Sequence, residues 1–116
     1  MCEFKVFSDG RLAAEDVVCA NTSDGALILK DVLGSSTKVD NCVIAEIDVA
    51  KETMVLKKAS IIGDMLRFVA AIAKCEEAGK YDRDLEDIWQ RVKSQGDETI
   101  RDLWMRYQKP RRKDTS

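Results

Sequence analysis

The sequence predicts an α+β protein, with a small antiparallel β-barrel of five to six strands followed by three α-helices. Two observations carry the prediction. Through residue 58 the apolar positions recur every second residue between polar turns, and from Ser60 onward they recur at helical spacing. A third observation supports the strands: the only proline is Pro110, so no predicted strand lacks a backbone amide. The organisation expected is a barrel over 1–58, a helical extension over 59–109, and a disordered basic tail over 110–116.

The elements follow in order. Cys2, Phe4 and Val6 alternate with Glu3 and Lys5, and Asp9-Gly10 marks a hairpin turn. A second strand covers Leu12 to Ala20, and Asp24-Gly25 turns into a third from Ala26 to Val32. Its unbroken Leu27-Ile28-Leu29 suits an interior strand. Gly34-Ser35-Ser36 leads to a short fourth strand around Thr37 to Val39. Cys42 to Val49 alternates Val43, Ala45, Ile47 and Val49 against Glu46 and Asp48, and Thr53 to Leu56 completes the set. Spacings of this kind suit a small barrel, whose closure removes exposed edges.

Ser60 is placed to cap a helix running to Ala78, with Gly79 as its stop. That helix is apolar over most of its circumference and needs cover on two sides. Leu85, Ile88, Trp89 and Val92 form a second helical pattern that Gly96 should end. Ile100, Leu103, Trp104 and Tyr107 form a third, capped by Asp97 and closed by Pro110. Trp89 and Trp104 are expected to pack on each other. Ile62, Met65, Val69, Ile72, Trp89 and Trp104 are the residues expected at a helix-packing or dimer surface. The long helix favours the dimer, because two short helices cannot cover both its sides.

Composition bounds the function. Charged residues make up 34% and the net charge is −2, so no global field draws the chain to nucleic acid or to an anionic membrane. No apolar run is long enough to span a bilayer and no signal-peptide pattern precedes Phe4, which points to a cytoplasmic protein. The four cysteines, Cys2, Cys19, Cys42 and Cys75, are then expected as free thiols. Cys19, Cys42 and Cys75 fall on apolar faces, in or near the core. There is no histidine, hence no Ser-His-Asp or Cys-His pair, and no base stands at a catalytic spacing from any nucleophile. No enzymatic activity is expected. The acidic run Asp82, Asp84, Glu86 and Asp87 lacks the spacing of a calcium loop and reads as a helix start favoured by the dipole.

The first half also carries a resemblance. MCEFKV, the Gly10 turn, Glu15-Asp16-Val17-Val18, Leu29-Lys30-Asp31-Val32-Leu33-Gly34 and Ile44-Ala45-Glu46-Ile47-Asp48 are similar to the CooT-type nickel-binding family, over roughly residues 1–57. Its members are short SH3-like barrels, earlier described as predicted RNA-binding proteins. The resemblance implies a homodimer that binds Ni(II) through Cys2 and acts as a metallochaperone for a client nickel enzyme, carbon monoxide dehydrogenase. The helices after Ser60 depart from the minimal family pattern.

The chemistry of Cys2 is compatible with that implication. One thiol per chain cannot complete a site, but two copies on a two-fold axis offer two thiolates and adjacent main-chain nitrogens. Sulfur and nitrogen donors in a plane suit Ni(II) or Cu(II). If Met1 is removed, the amine and thiolate of Cys2 can chelate one metal, and the metal-loaded form is expected to lack Met1.

The alternative is an RNA-binding or protein-interaction module. The barrel half holds seven Lys and Arg against ten Asp and Glu, with only Phe4 and Phe7 as aromatics, which makes a poor RNA surface. The candidate nucleic-acid contacts are instead Arg106, Lys109, Arg111, Arg112 and Lys113, at the basic end of the chain.

Overall fold

Asp9-Gly10 and Asp24-Gly25 set the frame of the sheet. Both dipeptides take positive φ at each residue, 54° and 74° in the first and 49° and 80° in the second. That is the two-residue hairpin geometry whose twist matches the flanking strands. The computed structural model describes residues 2–115, with side chains described through Gln108. Its strands are β1 (Phe4–Ser8), β2 (Arg11–Ser23), β3 (Ala26–Asp31), β4 (Ser36–Asp40), β5 (Cys42–Asp48) and β6 (Thr53–Lys58). Two helices follow, α1 (Ile62–Ala78) and α2 (Asp84–Thr115).

The six strands form one sheet in the order β4-β3-β2-β1-β6-β5. All neighbours are antiparallel except β1 and β6, which run parallel, Val6 beside Met54 and Ser8 beside Leu56. β2 serves both halves of the sheet. Its first part pairs with β1 and its second with β3, and the register shifts on both sides where Asp16 takes a φ of 56°. Such a bulge sharpens the local twist and lets one long strand turn a corner.

The expected barrel is an open sheet. β4 and β5 are its two edges, although only Asn41 separates them in the chain. A tight hairpin needs at least two loop residues. One residue at φ 53° redirects the chain without setting up a ladder, so consecutive strands stay unpaired. The core is Val6, Val17, Leu27, Leu29, Cys42, Met54 and Leu56, with Phe4, Ala20 and Val39 packed around it. As an edge strand, β5 leaves Val43, Ile44 and Ile47 exposed.

The helices also differ from expectation: two, not three. Gly96 does not end a helix, because a glycine inside one costs only about 1 kcal/mol against alanine. It lies beside Ile61, whose Cδ1 would be 3.6 Å from a Cβ at that position, an ordinary van der Waals distance. Asp97 is therefore interior, and α2 continues past Pro110 to Thr115 where closure and a disordered tail are expected. Ser60 is not the cap of α1. The cap position is Ile61, which makes no side-chain cap bond, and Ser60 Oγ instead meets Thr99 Oγ1 at 3.4 Å. Gly79 does terminate α1, at φ 62°, with the Gly79 and Lys80 amides donating to the Glu76 and Cys75 carbonyls.

Three contacts tie the start of α1 to the sheet. The Gly63 amide donates to Asn41 Oδ1 at 2.9 Å, the Gly25 and Gly63 backbones lie against each other, and Arg67 reaches Asp24 at 3.5 Å and Asp64 at 3.1 Å. α2 folds back antiparallel to α1, so Phe68 meets Trp89 with ring centroids 5.3 Å apart and Ile61 meets Gly96. Trp89 therefore does not pack on Trp104. The two share one helix and stand roughly 22 Å apart along it.

Candidate functional site

Cys2 precedes the first hydrogen-bonded residue of β1 and is exposed. β1 lies inside the sheet, between β2 and β6, so Cys2 sits at the mouth of an interior strand rather than on an edge. The ladder with β2 starts at Phe4 opposite Val17, and Cys2 lies two residues before it. Cys19 is exposed, contrary to expectation, because the bulge after Val17 shifts it off the inward face, and its sulfur accepts from Asn21 Nδ2 at 3.9 Å.

The other two thiols are enclosed to different degrees. Cys42 is buried, with its sulfur 3.6 Å from the Val39 carbonyl it donates to. Burial pushes its thiol up from the ordinary range, the charge of Lys58 pulls it partly back, and that of Asp40 adds to the rise. Cys75 is half-buried near the end of α1. Among the described residues, no three Cys, Asp or Glu side chains converge into a group that could hold a metal ion. Within one copy, then, Cys2 offers a single accessible sulfur.

The acidic run at 82–87 opens α2. Asp82 Oδ1 accepts from the Asp84 amide at 2.9 Å, and Asp84, Glu86 and Asp87 stand in the first turn, where the helix dipole favours negative charge. Tyr81 donates to Glu86 Oε2 at 2.6 Å, which pushes its phenol up.

The residues expected at a helix surface divide between two faces. Ile62 and Ile72 are half-buried, whereas Met65, Val69, Trp89 and Trp104 are exposed. Beyond Thr99, α2 overhangs the start of α1 and carries Ile100, Leu103, Trp104 and Tyr107 in the open. This surface was concealed from periodicity, because the number and length of the helices decide which face of α2 meets α1.

The expected nucleic-acid contacts are only partly described. Arg106 is exposed, with its guanidinium 5.8 Å from the Tyr107 ring centroid. The side chains of Lys109, Arg111, Arg112 and Lys113 lie outside the described residues. On the sheet, Phe4 and Phe7 are half-buried rather than presented for base stacking. No helix among the described residues is long and apolar enough to cross a membrane.

Residues 1–57 match the model of a family described as CO dehydrogenase accessory protein CooT. The match covers β1 to β5 and most of β6, and leaves both helices outside it. A comparison with curated proteins finds no match to the chain.

Proposed function

Because residues 1–57 belong to the CooT family, we propose that this chain is a nickel-binding accessory protein with Cys2 as its metal-holding residue. Its cargo is Ni(II), destined for a nickel enzyme such as carbon monoxide dehydrogenase. The observation that carries the reading is that the family match begins at residue 1 and so includes Cys2, the thiol at the open mouth of β1. A carrier must bind its ion where a client can reach it, and an exposed sulfur meets that need. A buried one such as Cys42 does not.

Two copies supply two Cys2 thiolates, and main-chain nitrogens beside them complete a planar set suited to Ni(II). Calorimetric titration of the full chain with Ni(II), beside Cys2→Ser, tests this. The native chain should bind one ion per two copies and the variant should lose binding. Equal affinity in both would remove Cys2 from the site.

A further inference from the structure

The chain is far from compact for its size. Its radius of gyration is 18.0 Å, where about 13 Å is usual for this length. Its accessible surface is 8714 Å², where about 6,300 Å² is usual for 13.0 kDa. The surplus exceeds the roughly 800 Å² per partner that a standard interface takes. Open apolar side chains lie on the helical hairpin. Val69 is 57% exposed, Ile100 69% and Trp104 62%, beside open Trp89, Leu103 and Tyr107.

These side chains share a side of α2. At 100° per residue, Trp89, Ile100, Leu103, Trp104 and Tyr107 fall within one stripe next to the Leu85, Ile88 and Val92 face that meets α1. The helix is also electrically polarised along its length. Asp84, Glu86 and Asp87 stand in its first turn, and the positive residues from Arg106 onward stand at its far end. An antiparallel copy of the same helix sets the acidic start of each against the basic end of the other.

We propose that the apolar stripe of α2 is the seat of a second copy of this chain, packed antiparallel about a two-fold axis near Glu98. That axis sets Trp89 of one copy beside Tyr107 of the other. Both hairpins then join in a four-helix bundle. A second copy is the occupant because the stripe and its flanking charges are complementary to themselves under this one rotation, as an isologous interface requires. The proposal does not rest on nickel binding, and its surface lies wholly outside the family match.

Sedimentation equilibrium of the metal-free full chain at micromolar concentration tests it, with Ile100→Glu/Trp104→Glu and Cys2→Ser run in parallel. The native chain and Cys2→Ser should be dimers. Ile100→Glu/Trp104→Glu should be monomeric, with at least a hundredfold weaker association and an unchanged circular dichroism spectrum, since both side chains are exposed within one copy. Charge reversal at the helix start, Glu86→Lys/Asp87→Lys, should weaken the dimer more at low salt than at high salt. A monomeric native chain overturns the proposal and assigns the stripe to a different protein. So does a dimer that survives Ile100→Glu/Trp104→Glu, which would move the interface to the sheet, or one that Cys2→Ser dissolves.

Discussion

Asn41 Oδ1 accepts the Gly63 amide at 2.9 Å, so the one residue between β4 and β5 also satisfies the N-terminus of α1. The cap comes from the sheet, not from the residues before the helix. Asn41→Ala should lower unfolding free energy by about 1–2 kcal/mol, through the lost cap and a strained φ. Asn41→Gly relieves the strain and keeps only the cap loss, and Asn41→Asp should retain most of the native stability. Thermal melts of the three variants separate the terms. An alanine variant within a few tenths of a kcal/mol of native would refute the coupling.

Gly25 and Gly10 occupy equivalent hairpin positions in different surroundings. A Cβ at Gly25 would lie 2.7 Å from the Gly63 carbonyl oxygen and 2.9 Å from Arg67 Cζ, whereas one at Gly10 meets nothing within 4 Å. Gly10→Ala should cost about 1–2 kcal/mol for its left-handed backbone alone. Gly25→Ala should cost about 1–3 kcal/mol more, because the helix must move away. Urea denaturation of the pair reads the difference, and equal losses would mean that the hairpin does not bear on α1.

Cys42 should be the slowest thiol to modify. A neutral-pH thiol reagent should label Cys2 and Cys19 first, Cys75 later, and Cys42 only as the sheet opens. The raised value of Cys42 also has a stability consequence. The folded state holds this proton more tightly than the unfolded chain, so the contribution is complete below the ordinary thiol value of 9.0. It is lost as pH rises through that value towards the folded one. Cys42→Ala should flatten the alkaline decline, and an unchanged pH profile would count against it.

Nickel binding through Cys2 should weaken in acid, because each thiolate ligand must give up its proton. Between about pH 8 and about pH 6, apparent affinity should fall by about tenfold per pH unit for each proton released. Titrations across that range give the slope, and a flat profile would rule out thiolate ligation.

The strand half was largely legible in the sequence, and the helical half was not. Asp9-Gly10 and Asp24-Gly25 fix their turns by local chemistry alone, so strand order between them follows from chain order. Asn41 was not legible as a corner, since its left-handed conformation depends on the strands it separates. Gly96 misled for a different reason. Its local cost is small, and the helical pattern on either side of it carries the helix through. Cys2 stood out by its position and by the motifs around it, while the exposure of Cys19 depended on a bulge that no alternation pattern encodes.

The parallel pairing of β1 with β6 sets an order on the birth of the protein. Lys5 and its neighbours leave the ribosome well before one of their two sheet partners, the strand around Thr53. Until that late segment emerges, one flank of β1 stays bare, and contacts so distant along the chain form slowly. The thiol at position 2 thus waits beside an unfinished sheet throughout synthesis of the strand half. It gains its final surroundings only when residue 58 is free, before either helix exists.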